Sequence, residues 1–160
     1  MGFVAIGDIH GCRVTLEALL KEVAPNEDDI LVFIGDYIDR GPDSKGVIDF
    51  LLEYRKSQTC VFLRGNHEQM LLDMLNGGME ALWLSNGGRD TMDSYRRAGF
   101  DNVPDEHVRF IQDTLFYYEA EDFLFVHGGL KPRFTVQQNL TLFDQEVFLW
   151  ERSHLRTDFN

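Results

Sequence analysis

The chain has 160 residues, 44% of them apolar and 12% aromatic, which is enough for one buried core, and we expect a single domain over 1–160. Its formal net charge of −12, from 27 acidic against 15 basic side chains, argues against broad electrostatic binding of nucleic acid. No apolar run approaches the roughly 20 residues of a membrane span, Cys12 and Cys60 stand too far apart to read as a disulfide framework, and no leader pattern opens the chain, so the expected setting is the cytoplasm.

In chain order, Phe3 to Ile6 reads as a strand that runs into Gly7-Asp8-Ile9-His10-Gly11. Leu16, Leu19, Leu20 and Val23 then give a helical face that ends at Pro25-Asn26. Ile30 to Ile34 is a second strand, running into Gly35-Asp36-Tyr37-Ile38-Asp39-Arg40-Gly41, and Pro42-Asp43-Ser44 supplies a turn and cap for a helix through Val47, Phe50, Leu51 and Tyr54. Thr59 to Leu63 is the third strand, followed by Arg64-Gly65-Asn66-His67-Glu68 and a helix bearing Met70, Leu71, Met74 and Leu75. This βαβαβα order predicts a largely parallel sheet. From about 79 to 114 the pattern changes to a helical insertion, with helices over 81–84, 90–98 and 104–113 broken at Asn86-Gly87-Gly88 and at 99–103. Leu115 to Glu119 and Phe123 to Val126 read as a hairpin, hence a second sheet, and Thr141 to Trp150 as a further helix.

Four strand ends carry Asp8, His10, Asp36, Asn66, His67 and His127 among glycines. Carboxylate, imidazole and amide donors together suit Mn, Fe or Zn. Glycine beside the acidic residues permits tight turns and close approach to an ion. Asp36, the central carboxylate, is placed to bridge two ions that activate water for attack on phosphorus. His67 is then the candidate acid, Asp39 the group that orients its ring, and Arg40 the phosphate clamp. Taken singly, each residue has a plainer role: Asp8 and Asp36 as turn residues, Asp39-Arg40 as a surface ion pair, the histidines as core or cap groups. A cysteine nucleophile pairing Cys12 with His10 leaves Asp36, Asn66 and His127 unexplained. His107 and His154 are expected to face solvent.

The motifs at 7–11, 35–41, 64–68 and 127–129 resemble the signatures of the phosphoprotein phosphatase family within the calcineurin-like metallophosphoesterases. The segments Trp83 to Gly88 and Leu149 to Arg152 are similar to the bacterial and phage branch, which includes serine/threonine phosphatases and symmetrical diadenosine tetraphosphate hydrolases. The resemblance implies an α/β fold with a central β-sandwich flanked by helices. It implies a pair of divalent or trivalent ions, with Mn expected and Fe or Zn as alternatives. Asp8 and His10 would ligate the first ion, Asp36 would bridge, and Asn66 and His127 would ligate the second. His67 and Asp39 would be catalytic, Arg40 and Arg152 would bind phosphate, and Arg64 would support its loop. The family pattern also has a later Gly-His motif and further strands without counterpart before Asn160, so a truncated form of a longer protein is expected. The implied activity is hydrolysis of phosphomonoesters on a phosphorylated protein or small phosphoester. Symmetrical cleavage of dinucleoside polyphosphates is the alternative, and an impaired metal-binding module a third reading. Selection among substrates would lie in the insertion over about 79–114 and in the C-terminal part expected beyond Asn160.

Overall fold

The computed structural model describes residues 2–156, the side chains of 154 and 156 excepted, so the expectation for His154 lies outside the described residues. Strands β1 (Phe3–Ile6), β2 (Ile30–Phe33) and β3 (Cys60–Phe62) form a parallel sheet in that order. Leu31, Val32 and Phe33 are fully buried, as a central strand covered on both faces requires. Helices α1 (Arg13–Val23) and α2 (Ser44–Tyr54) make the crossovers, and α3 (Asn66–Leu75) leaves directly from the loop after β3. All three strands therefore end at the same edge, and the loops that follow them are neighbours.

Leu16 and Leu20 of α1, Val47, Ile48 and Leu51 of α2, and Met70 and Leu71 of α3 meet the sheet in one core. The apolar face expected on α1 is narrower than the sequence pattern: Leu19 and Val23 are 43% and 40% exposed, because among the described residues only the Leu16/Leu20 stripe meets the sheet. Asp43 caps α2 by accepting from Gly46 N–H at 3.0 Å.

The insertion consists of α4 (Glu80–Trp83), a wide π-type turn over Leu84–Gly88, α5 (Arg89–Arg97) and α6 (Asp105–Gln112). The glycine break expected at 86–88 is a kink rather than a loop, with Gly87 at φ 111°. β4 (Tyr117–Ala120) and β5 (Phe123–Val126) pair antiparallel. Leu115, expected to open β4, instead forms a parallel bridge with Leu63 and so extends the first sheet's edge. The Phe3 ring packs 5.9 and 5.6 Å from those of Phe123 and Phe125, which ties the hairpin to β1. Among the described residues this hairpin is the second sheet.

The single helix expected over 141–150 is two, α7 (Val136–Leu142) and α8 (Val147–Trp150). Thr135 accepts from Gln138 N–H while the Gln138 side chain accepts from Thr135 N–H, a reciprocal cap that starts α7 earlier, and Phe143 turns extended and ends it. No helix among the described residues is long and apolar enough to cross a membrane.

His107 does not face solvent: it is 5% exposed, with Nδ1 2.8 Å from Tyr95 Oη and Nε2 3.1 Å from Asp49. Its place on the inner side of α6 joins α5 to α2. Burial holds its pKa below the usual 6.5, although Asp49 opposes that shift. The unfolded chain therefore takes up this proton first as pH falls, so the ring's contribution is full above about 6.5 and is lost below it. Thermal melts between pH 7.5 and 5 should lose less stability in His107→Gln than in the parent chain. Parallel curves would show that this ring does not govern the slope.

Candidate active site

The loop Gly35–Gly41 after β2 holds the site together by sending successive side chains in different directions. Tyr37 and Ile38 are fully buried, and Tyr37 Oη donates to Leu63 O at 2.6 Å. On either side of these anchors, the backbone at Asp36, Asp39 and Arg40 adopts φ of 53°, 72° and 66°, a region that L side chains rarely occupy. His10 on the neighbouring loop has φ 44°, and its N–H donates to Asp36 O at 2.8 Å. Gly35 and Gly65 meet at their backbones, and a Cβ on Gly65 would collide with the Asp36 carboxylate, so that approach needs glycine.

Glu68 satisfies the turn from beneath. Its fully buried carboxylate accepts from the N–H groups of Asp36 at 2.8 Å, Tyr37 at 2.8 Å, Ile38 at 3.3 Å and Gly65 at 3.0 Å. Burial, and secondarily Asp36, push its pKa up to about 8, while the main-chain donors pull the other way. From sequence alone Glu68 has no assigned role. Its position at the third residue of a helix after a Gly-Asn start was the available signal.

Asp8, His10, Asp36 and His127 converge above this turn. His10 Nε2 and His127 Nε2 each lie 3.5 Å from Asp36 Oδ2, and Asp8 Oδ2 is 3.9 Å from His10 Nε2. Two sets, Asp8/Asp36/His127 and His10/Asp36/His67, each have donor atoms within 4.8 Å of one another. The tautomers follow from the carbonyls: His10 Nδ1 is 2.9 Å from Ile38 O, and His127 Nδ1 is 3.0 Å from Ile34 O. A carbonyl only accepts, so each Nδ1 bears the proton and each Nε2 presents a lone pair to the site. His127 Nε2 then faces Asn66 Oδ1 at 3.0 Å, acceptor against acceptor, beside the Asp36 carboxylate. This donor chemistry fits a cation.

Asp39 lies outside that cluster, fully buried, with Oδ2 2.7 Å from His67 Nδ1. Rather than the plainer alternative, a surface ion pair with Arg40, Asp39 makes a buried pair with His67, the ring that the sequence predicts it to orient. Arg40 donates to His10 Nε2 at 3.0 Å and to His67 Nε2 at 2.9 Å, so one guanidinium spans both imidazoles. It also lines a cleft of about 520 Å³ with Pro42, Asp43, Asp90 and Arg97. Arg152 packs against Gly128, next to His127, and donates to Leu149 O and Glu151 O at 3.3 and 3.1 Å. Arg64 donates to Thr114 Oγ1 at 3.1 Å and Gln112 O at 2.7 Å and stacks 4.7 Å from the Phe116 ring, a loop-supporting position. Two further residues, Trp83 and Thr91, donate to the Asp39 carboxylate, and neither was identified from sequence as part of the site.

Replacing Glu68 with Gln turns an amide N–H₂ toward the main-chain donors from which the Glu68 carboxylate accepts. We expect a loss of roughly 2–4 kcal/mol in urea unfolding. A change within about 0.5 kcal/mol would mean that the turn holds its shape without this carboxylate.

The model of the calcineurin-like phosphoesterases matches residues 1–157. A serine/threonine-protein phosphatase 1 from Salmonella typhimurium is 46% identical over 84 residues, which is 52% of this chain and 37% of that protein. A symmetrical bis(5'-nucleosyl)-tetraphosphatase from Pseudomonas syringae pv. tomato is 32% identical over 143 residues, covering 88% of this chain and 44% of that protein. The chain thus spans less than half the length of these curated relatives. The solved structure of a cold-active protein-tyrosine phosphatase from a Shewanella species shares the fold with a TM-score of 0.67 at 18% identity, covering 99% of this chain and 59% of that one. Calcineurin-like phosphoesterases use a dinuclear metal centre, and the paired donor sets around Asp36 accord with that chemistry. With its whole motif-bearing length matched and its fold shared, the chain belongs to the calcineurin-like phosphoesterase family.

Proposed function

We propose that the protein is a metal-dependent phosphoesterase of serine/threonine phosphatase type, which hydrolyses phosphomonoesters in the cytoplasm. The observation that carries this reading is the approach of two imidazole lone pairs to one Asp36 oxygen, each at 3.5 Å, with both rings fixed from behind by carbonyls. Asp8, His10 and Asp36 would hold one ion and Asp36, Asn66 and His127 a second, with manganese preferred over iron or zinc. Bound there, the ions would supply Lewis acidity that lowers the pKa of water toward neutrality and offsets phosphoryl charge.

The protein's own residues would do the rest. Arg40 exchanges its two imidazole partners for phosphoryl oxygens, a planar fork matched to them. Asp39 holds His67 by Nδ1, so Nε2 is turned to deliver a proton to the departing oxygen. Arg152 would reach the phosphate from the side of Gly128.

A second reading, symmetrical hydrolysis of dinucleoside polyphosphates, draws support from the tetraphosphatase that aligns with 88% of the chain. Incubation with a phosphoserine peptide and, separately, diadenosine tetraphosphate separates the two. Release of inorganic phosphate from the peptide supports the first; two ADP per dinucleotide supports the second. A chain that binds two manganese ions and turns over neither substrate would be a binding module.

Asp36→Asn should lower metal content and hydrolysis of an aryl phosphate together. Unchanged values of both would remove Asp36 from the site. His67→Asn should keep its metal and slow phenyl phosphate by about 10²–10⁴-fold, with a much smaller loss on 2,4-dinitrophenyl phosphate, whose leaving group needs no proton. Equal slowing of both esters would rule out the acid role.

A further inference from the structure

The insertion reaches into the acid pair. Trp83 ends α4 and Thr91 lies in the first turn of α5, on either side of the kinked turn. Both are buried, at 1% and 0% exposure, and both point at Asp39. Trp83 Nε1–H lies 3.1 Å from Asp39 Oδ1 and 2.9 Å from Oδ2, and Thr91 Oγ1–H donates to Oδ1 at 2.7 Å. Oδ2 also accepts from His67 Nδ1–H at 2.7 Å. The carboxylate cannot donate, so Thr91's single proton is committed to it. Ser44 Oγ, 2.9 Å from Thr91 Oγ1, must therefore donate to Thr91. Asp39 N–H points back at Thr91 Oγ1 and Ser44 Oγ, at 2.8 and 3.1 Å. Arg40 N–H reaches Gly87 O at 3.3 Å, which closes the same clasp around the next residue.

We propose that Trp83 and Thr91 are positioning residues for the reaction: they fix the Asp39 carboxylate so that Oδ2 stays directed at His67 Nδ1. The proposal rests on the reading of His67 as the acid. Without these two donors Oδ1 would be a buried, unpaired acceptor, and the carboxylate could turn away from the ring. The left-handed backbone at Asp39, φ 72°, gives that turn no regular secondary structure to hold it in place. A purely anchoring role, in which the same bonds only fasten the insertion to the sheet, makes a different forecast.

The test uses the full chain and the variants Thr91→Val, Thr91→Ser, Trp83→Phe and His67→Asn. In the metal-free protein, the downfield proton resonance absent from His67→Asn reports the Nδ1–H bond to Asp39. Thr91→Val and Trp83→Phe should shift or broaden it, and Thr91→Ser, which keeps the hydroxyl, should leave it in place. In the manganese-loaded protein, the first two variants should lose about ten-fold or more on phenyl phosphate beyond any loss on 2,4-dinitrophenyl phosphate, at unchanged metal content. Thr91→Ser should stay within about two-fold of the parent. An unmoved resonance, with both esters slowed equally, overturns the positioning role. If His67→Asn itself shows no leaving-group preference, the acid reading fails instead, and the resonance alone decides whether the two residues orient Asp39. Should Trp83→Phe fail to fold, the nearly isosteric comparison of Thr91→Val with Thr91→Ser decides the matter.

Discussion

Three carboxylates, Asp36, Asp39 and Glu68, are buried at one sheet edge with exposures of 3%, 0% and 0%. Removing an ionised carboxylate from water costs several kcal/mol unless hydrogen bonds or opposite charge replace the lost solvation. The structure answers this separately for each group. Glu68 takes four main-chain N–H groups. Asp39 takes an indole, a hydroxyl and an imidazole. Asp36 is served by His67 N–H at Oδ1 and otherwise faces two imidazole lone pairs at Oδ2. The carboxylate left least satisfied by protein donors is the one shared by both donor sets that could hold a metal ion.

The same loop converts core packing into site geometry. Tyr37 and Ile38 have no exposed surface and lock the turn to β3 and the helices, so the flanking Asp36 and Asp39 have little freedom to move. Left-handed φ at Asp36, Asp39, Arg40 and His10 costs roughly 1–3 kcal/mol each and persists only where surroundings over-determine it. Here the hydrogen bonds that Glu68 accepts and the clasp from the insertion supply that determination. Precision at the site therefore depends on elements that need not touch a substrate.

That dependence gives the insertion two tasks. Asp90 and Arg97 of α5 border the cleft beside Arg40, and Thr91 of the same helix touches Asp39. A shift of α5 would therefore also disturb the Asp39–His67 pair. In turn, α5 is fastened to α2 through His107, Tyr95 and Asp49, which extends the dependence to a buried ring on α6.

Much was legible from sequence alone. The order of strands, the loops that end them and the residues that gather around Asp36 followed from apolar runs punctuated by Gly-Asp and Gly-Asn-His, because strand formation and tight turns depend on residues close together in the chain. What the sequence left open depends on residues far apart. Trp83 and Thr91 meet Asp39 across 44 and 52 positions, and Glu68 closes on the Asp36 turn from 32 positions away. His107 looked solvent-facing because its burial is set by α2 and α5 rather than by its own helix. The exposure of Leu19 and Val23 was likewise decided by what packs against α1, whereas the early start of α7 follows from a local cap between Thr135 and Gln138 that the apolar pattern does not carry. Local chemistry thus determined which side chains stand at the strand ends. Only the tertiary packing, which must give every buried carboxylate its donors, decided what holds those side chains still.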